Sequence, residues 1–311
     1  MSAPVLPARP GGPAAAARTG RGRTAEPSSW YLAPALVFFG AFGIVPLLVA
    51  AGLSFTTWDG LTPPRFTGLD NWVDELSDPV TYNALWLTLK VIVVSWVVQT
   101  PLSLLIGVFT AGRQRYRAVL AALYFLPLIL SAAAIGIAFK ALLDPNYGLA
   151  HAFGVKSLVQ DWLGNTDLVL YTVILVIAWQ FIPFHSLLYQ AGARQIPPSL
   201  YEAAAIDGAG RVQQFFSITV PQLKNTIVAS STLMVVGSLT YFDLVFILTQ
   251  GGPGYATRLL PLDMYLTGFQ ASQLGSASVL AVLLVIIGLV LASVITRVSG
   301  FNRMSSQQEG V

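Results

Sequence analysis

The chain has 311 residues, of which 55% are hydrophobic and only 10% are charged. Soluble domains carry about 25% charged residues, so this composition excludes an ordinary soluble protein and indicates one that crosses a membrane several times. Cysteine is absent, which excludes a disulfide framework and thiolate metal ligands. Two histidines, His151 and His185, are too few to build a histidine metal centre, so no metal site is expected.

Residues 1–29 are rich in Ala, Pro, Gly and Arg and show no periodic apolar face, which predicts a disordered tail. The apolar run that follows, 30–55, is longer than the core of a signal peptide and therefore predicts a membrane helix.

Apolar runs along the chain predict an all-α membrane protein with six transmembrane helices. Their ranges are 30–55, 82–110, 118–142, 168–189, 226–248 and 276–295. Pro183 is expected to interrupt the fourth helix. The transmembrane domain is accordingly placed at 30–296, and residues 297–311 form a second tail.

The distribution of basic residues predicts which loops face the cytoplasm. If both termini are inside, the cytoplasmic segments hold twelve basic residues and the external segments hold three. The cytoplasmic set is Arg9, Arg18, Arg21, Arg23, Arg113, Arg115, Arg117, Arg194, Arg211, Lys224, Arg297 and Arg303, and the external set is Arg65, Lys156 and Arg258. Because cytoplasmic loops are enriched in Lys and Arg, both termini are predicted to be cytoplasmic.

A polar segment, 195–221, separates the fourth and fifth helices and predicts two short amphipathic helices on the cytoplasmic side. The first of them is expected to start after Pro197 and Pro198, and Ser199 followed three residues later by Glu202 predicts a capping box at its start. Gly208 is placed where a helix ends in the left-handed conformation. The alternative interpretation of this segment is a surface helix that lies on the membrane, with Glu202 serving only as a cap.

The same segment contains a spaced motif of a known family. Its residues are Glu202, Ala203, Ala204, Gly208, Ile218 and Pro221. This motif resembles the EAA loop of bacterial ABC-importer permeases, with Val220 as a conservative departure where leucine is usual. The resemblance implies a cytoplasmic coupling loop, between helices 4 and 5, that docks on an ATPase subunit.

Two further features indicate which subgroup of these permeases the chain resembles. Asp207, before the glycine, and the run Thr249–Pro253, which ends in Gly-Gly-Pro, are similar to the corresponding segments of carbohydrate-uptake permeases. By itself, Gly-Gly-Pro also fits an ordinary tight turn. Together the motifs imply a permease for a sugar or oligosaccharide in the bacterial cytoplasmic membrane.

The resemblance also implies an assembly. Its members would be a second, related permease, two ATPase subunits that bind ATP and Mg²⁺, and an extracellular substrate-binding protein. The sequence has no Gly-x-x-x-x-Gly-Lys-[Ser/Thr] phosphate loop, so the chain is not expected to be an enzyme or to bind a cofactor. Membrane lipid is an expected partner, and nucleic acid is not.

Candidate residues for the substrate path are few. Asp243 is an acidic residue within the fifth predicted helix, where an unpaired carboxylate is costly unless it faces protein or water. A structural hydrogen bond within the bundle is the alternative role for Asp243. Tyr241, Phe242 and Trp179 offer aromatic faces to a sugar ring.

Other classes of protein remain open at the level of sequence. An ion-gradient-driven secondary transporter would carry ionisable residues or broken helices at mid-membrane, and only Asp243 fits that pattern. A membrane-embedded enzyme would show convergent catalytic residues, and none are evident. An ABC permease for a non-sugar solute, such as glycerol phosphate, is a third alternative.

Overall fold

The computed structural model describes residues 29–112, 114–155 and 159–299. In these ranges the chain is mostly helical, with one two-stranded antiparallel sheet. The predicted tails fall outside the described residues except at Ser29 and 297–299. The expected all-α class therefore holds for the bulk of the described chain, and the small sheet is an addition to it.

The chain divides into two compact units, residues 1–46 and 47–311. The described part of the first unit contains a 3-10 turn (Ser29–Leu32), helix α1 (Ala33–Phe39), a π-helical turn (Gly40–Ile44) and the start of α2 (Val45–Leu53). Pro34 lies in the first turn of α1, where its missing N–H leaves no helical bond unmade. No residue of α1 is buried.

The second unit contains the remaining elements. In chain order they are strands β1 (Thr56–Thr57) and β2 (Arg65–Phe66) and helices α3 (Asp70–Ser77), α4 (Pro79–Thr110), α5 (Arg115–Tyr124), α6 (Leu126–Ile129), α7 (Ala132–Leu142), α8 (Leu149–Ala152), α9 (Val169–Arg194), α10 (Pro198–Ile206), α11 (Arg211–Gln214), α12 (Val220–Gln222), α13 (Lys224–Ser238), α14 (Asp243–Thr249), α15 (Leu260–Tyr265) and α16 (Leu274–Ser299). In the sheet, Thr56 pairs with Phe66. A π-helical turn, Phe215–Thr219, joins α11 to α12.

Helices α4 and α9 form the centre of the second unit. Their carboxyl ends meet at Gly107, where an added Cβ would lie 2.6 Å from the Ser186 carbonyl oxygen and 2.7 Å from Tyr189 Cβ. Only glycine permits this close approach of two helices. Gln190 Nε2 donates to the Thr110 carbonyl at 2.9 Å and holds the two ends together. The main apolar cluster joins both helices to α7, α14 and α15.

The third predicted span, 118–142, is bent rather than straight. Two segments, Val119–Ile129 and Ala132–Leu142, meet at an angle of 98°. Ser131 explains the break, because its Oγ accepts a hydrogen bond from the Ala134 N–H at 3.2 Å and so caps a new helix. The predicted span therefore consists of two helical segments joined by a sharp bend.

The fifth predicted span, 226–248, is bent as well. Helices α13 and α14 meet at 50° across a short break. Thr240 competes with the helical ladder there, since its Oγ1 donates to the Gly237 carbonyl at 2.8 Å and its N–H binds the same carbonyl at 3.0 Å. This break places Asp243 at the first position of α14.

The fourth predicted span is one unbroken helix, α9, and the expected interruption at Pro183 is wrong. Pro183 cannot donate the helical hydrogen bond to the Trp179 carbonyl four residues earlier, but a proline is tolerated in a membrane helix that neighbouring helices support. Ser186 and Ser103 hydroxyls both donate to the Ile182 carbonyl, at 2.8 and 3.3 Å. These contacts stabilise the helix beside the proline.

Four helices of the described chain are long and apolar enough to cross a membrane. They are Trp30–Leu53, Pro79–Thr110, Val169–Arg194 and Leu274–Val298. The number rises to six if each bent pair counts as one span. Between the last two predicted spans, α15 and the π-helical turn Leu266–Gln270 form a helical segment that the sequence analysis did not identify.

Candidate functional site

The coupling segment folds as two short helices joined by a tight turn, as predicted. Gly208 has φ +81°, which confirms the left-handed conformation expected from the sequence. The Ala209 N–H donates to the Ala204 carbonyl at 2.8 Å, and the Gly208 N–H donates to the Ala205 carbonyl at 3.1 Å. This pair of bonds is a Schellman motif, which satisfies the last carbonyls of α10 and fixes the direction in which the chain leaves it.

The start of α10 differs from the prediction. The helix begins at Pro198, one residue before the expected cap, and no side chain caps it. Proline suits the first helical position because its missing N–H would have had no partner there. Ser199 therefore lies inside the helix, and the predicted capping box with Glu202 is wrong.

As a result, Glu202 is available to a partner. Its side chain is exposed and makes no ion pair or hydrogen bond with any described residue. Ala203 and Asp207 are exposed beside it, while Ala204 is half-buried. On the second arm, Ile218 is half-buried and Pro221 is exposed.

Large apolar side chains of the same segment are also exposed. The exposed fractions are 87% for Ile206, 73% for Val212 and 65% for Phe216. Exposed apolar side chains on a segment predicted to lie outside the membrane are typical of a protein-interaction site. We call this surface, formed by Glu202, Ile206, Val212 and Phe216, the coupling surface.

A cavity of about 400 Å³ lies within the helical bundle and gathers residues from α9, α13 and α14. Polar side chains on its wall are Gln180, His185, Thr240, Tyr241 and Asp243, and aromatic ones include Phe181, Phe184 and Phe242. We call it the bundle cavity. Three of the four substrate-path residues proposed from sequence therefore line one space.

Trp179 does not belong to that wall. Its ring packs edge-to-face on Phe139, with 5.2 Å between ring centroids, and it is absent from the lining of the bundle cavity. Tyr241, by contrast, belongs to that wall, and its ring lies 5.5 Å from the ring of Phe181, another lining residue. The structure thus brings Tyr241, Phe242 and Asp243 together and leaves Trp179 on a different contact.

Sequence analysis missed Gln180, the most informative group on this wall. It is only 7% exposed, and its Oε1 atom has no hydrogen-bond partner in the described chain. A buried amide oxygen without a hydrogen-bond partner is energetically unfavourable unless a ligand or water donates a hydrogen bond to it. The signal is present in the sequence, since an amide inside an apolar span is unusual.

His185 is held by the protein itself. Its Nδ1 lies 2.9 Å from Ser230 Oγ on α13, and its side chain is buried. Asp243 is different, because its exposed carboxylate has no hydrogen-bond partner among the described residues. The structural hydrogen bond considered for Asp243 is therefore not found in the bundle.

Comparison with known proteins defines the family. The chain matches the "Binding-protein-dependent transport system inner membrane component" over residues 99–301. It is 35% identical to "Probable ABC transporter permease protein YurN" of Bacillus subtilis (strain 168), covering 84% of this chain and 92% of that protein. It is 32% identical to "Multiple sugar-binding transport system permease protein MsmF" of Streptococcus mutans, covering 84% and 91%.

A solved structure has the same fold. It is titled "Crystal structure of bacterial alginate ABC transporter in complex with alginate pentasaccharide-bound periplasmic protein". The TM-score is 0.77 at 20% identity, covering 89% of this chain and 97% of that one.

These matches establish the class: the chain belongs to the family of inner-membrane components of binding-protein-dependent transport systems, the permeases of ABC importers. It is a multi-pass membrane protein, and the resemblance carried by the EAA segment is confirmed. Family membership favours transport driven by a separate ATPase over transport driven by an ion gradient.

Proposed function

We propose that this chain is one of two permease subunits of an ABC importer that brings a sugar or oligosaccharide into the bacterial cytoplasm. The main structural support for this proposal is the coupling surface. It presents an unpartnered carboxylate and exposed apolar side chains, on two short helices joined by a tight turn, to a partner protein. The relative named as a multiple sugar-binding permease supports the class of substrate.

The proposed topology has six spans, with each bent pair counted as one, in a domain covering 30–296. Both termini and the coupling loop lie in the cytoplasm, since the arginine bias places them there. The tails are 1–29 and 297–311.

In the coupling loop, Glu202 pairs with a basic group of the ATPase, and Ala203 and Ala204 allow close approach of that subunit. Gly208, with Asp207 before it, orients the second arm, which Ile218 and Pro221 connect to α13. Movement of the ATPase then reaches the bundle through the continuous segment α11–α13.

The bundle cavity forms part of the substrate path. Gln180 Oε1 and the Asp243 carboxylate accept hydrogen bonds from sugar hydroxyls, while Tyr241 and Phe242 cover an apolar ring face. No Lys or Arg of the described ranges lines this cavity, which disfavours an anionic solute such as glycerol phosphate. Trp179 contributes to the path only through its contact with α7.

The proposed partners supply what this chain lacks. Two ATPase subunits bind ATP and Mg²⁺, so this chain has no ATPase site and no cofactor of its own. A second, related permease completes the pathway, and an extracytoplasmic binding protein delivers the sugar. Membrane lipid surrounds the spans.

Two changes in the coupling loop test the proposal. Glu202→Lys should weaken retention of the ATPase on the tagged permease and reduce sugar uptake, because it reverses the charge offered to the partner. Gly208→Val should do the same, because a β-branched residue at φ +81° strains the turn by about 1–3 kcal/mol. The measurements are ATPase co-purification and uptake of labelled sugar.

Gly210→Val is the matched control. Gly210 has φ −70°, and neither glycine has an atom within 4 Å of its ideal Cβ position. The control variant should therefore retain the ATPase and transport normally. Normal retention and uptake in both Glu202→Lys and Gly208→Val would refute a coupling role for this loop.

A further inference from the structure

A second cavity, of about 340 Å³, lies where the carboxyl ends of α4 and α9 meet the coupling loop. Its wall includes Arg117 from α5, Arg211 from α11 and the hydroxyl groups of Tyr201 and Thr219. Among the described residues, no Asp or Glu contributes to this wall. We call it the basic cavity.

Arg117 is fixed in position by the protein. Its Nη1 donates to the Phe109 carbonyl at 2.7 Å, its Nε donates to Tyr116 Oη at 3.2 Å, and its guanidinium lies 4.6 Å from the centre of the Phe109 ring. A side chain at Gly112 would collide with Nη1 and displace it. Since a guanidinium has five N–H groups, three of those of Arg117 remain free to bind a ligand.

The arginines of the basic cavity form no ion pair with any described carboxylate. The ion pair found in the described residues joins Arg258 to Asp263, and neither Arg117 nor Arg211 has a carboxylate within ion-pair distance there. The sequence contains no acidic residue from 79 to 143 and none from 208 to 242. The two arginines that line this cavity therefore have no anionic partner among the described residues.

Hydroxyl donors complete the cavity. Tyr201 Oη and Thr219 Oγ1 lie 2.9 Å apart, and Thr219 is only 2% exposed. One hydroxyl donates to the other, which leaves the hydrogen of the second hydroxyl free to donate to a ligand. An anion with several acceptor oxygens fits these donors better than a monatomic ion.

We propose that the basic cavity binds a phosphate group, held by the free N–H groups of Arg117, by Arg211 and by the Tyr201–Thr219 hydroxyl pair. Arginine binds phosphate through two parallel hydrogen bonds, and the prior fixation of Arg117 lowers the entropy lost on binding. The phosphate comes from an anionic lipid headgroup or from a soluble phosphate compound. Its position links the ends of α4 and α9 to the coupling loop.

The test measures binding by the full-length chain, purified in neutral detergent, through its thermal unfolding midpoint. Inorganic phosphate is titrated at constant ionic strength in one arm, and phosphatidylglycerol is titrated in mixed micelles in the other. Diacylglycerol, which has the chains without the phosphate, is the lipid control. Saturable stabilisation by either phosphate source is expected, because a ligand that binds only the folded state raises the midpoint.

Arg211→Gln is the principal variant, because the Arg211 side chain makes no hydrogen bond or ion pair with any described residue and its replacement should not disturb folding. Its apparent affinity for phosphate should fall about tenfold or more through loss of charge-assisted hydrogen bonds. Arg117→Gln should act similarly, and Arg117→Lys should restore part of the loss. Arg297→Gln removes an equally exposed arginine outside the cavity and should bind like the wild type.

Each result has a defined meaning. Stabilisation by inorganic phosphate identifies a soluble source, and stabilisation by phosphatidylglycerol alone identifies the lipid headgroup. The proposal is overturned if neither probe stabilises the wild type, or if Arg211→Gln binds as well as Arg297→Gln. Because this assay requires neither sugar nor ATPase, its failure would leave the proposed transport function intact.

Discussion

Asp243 shows how a single residue depends on its surroundings. Its position inside an apolar run indicates a constrained carboxylate, but the bend between α13 and α14 places it at a helix start, exposed beside the bundle cavity. A carboxylate in the first helical turn is stabilised by the helix dipole and needs no buried partner.

Asp243→Leu should therefore change the free energy of unfolding by less than about 1 kcal/mol, the size of the dipole term. Sugar uptake should nevertheless fall sharply, and Asp243→Asn should retain more uptake because an amide still hydrogen-bonds hydroxyl groups. The measurements are thermal unfolding and initial uptake rate.

Asp70→Leu provides the control for Asp243, because Asp70 is also the first residue of its helix, α3, and is exposed. Asp70→Leu should lose as little stability as Asp243→Leu and should transport sugar normally. Full uptake by Asp243→Leu would remove Asp243 from the substrate path.

At the scale of elements, α3 and α15 bury carboxyl groups against the start of α4. Thr81 Oγ1 donates to Glu75 Oε2 at 2.9 Å and lies 3.5 Å from Asp263 Oδ2. Burial raises the pKa of Glu75 above its ordinary value of 4.5. Burial also raises the pKa of Asp263, although Arg258 pairs with it and opposes the shift.

The raised pKa of Glu75 makes stability depend on pH. Protonated Glu75 favours the folded state, so its contribution is full below the ordinary pKa of 4.5 and is lost as pH rises through the raised pKa. Glu75→Gln, which is neutral at every pH, should raise the unfolding midpoint at pH 7 by roughly 2–4 °C for each kcal/mol gained.

Below the ordinary pKa of the carboxyl group, the advantage of Glu75→Gln over the wild type should disappear. Asp74→Asn, which removes an exposed carboxylate from the same helix, controls for the loss of one negative charge there. An equal gain at acidic and neutral pH would contradict the role assigned to burial.

At the scale of the whole molecule, the proposed orientation can be tested because the chain has no cysteine. Gln114→Cys and Asp74→Cys introduce single thiols on loops that the arginine bias assigns to opposite sides of the membrane. In intact cells, a membrane-impermeant thiol reagent should label Asp74→Cys and not Gln114→Cys. After permeabilisation both should react, and the reverse pattern in intact cells would invert the topology.

The sequence alone determined the class of molecule, the approximate ranges of the apolar helices and the coupling motif. These features are local: apolar length is set by the bilayer, and the left-handed turn at Gly208 follows from the absence of a side chain there. The resemblance to ABC permeases rests on the spacing of a few residues, such as Glu202 and Gly208, within one segment.

Tertiary structure decided the features that depend on distant contacts. The 98° and 50° bends lie at Ser131 and Thr240, whose side chains form local hydrogen bonds with the backbone in place of regular helical ones. A hydropathy pattern does not reveal such bonds. Packing also keeps α9 continuous through Pro183 and places Gln180 and Asp243 on the wall of one cavity. It places Arg117 and residues of the coupling loop on the wall of another. Which side chains share a cavity depends on how helices far apart in sequence pack, and a linear pattern of residues does not contain those distances.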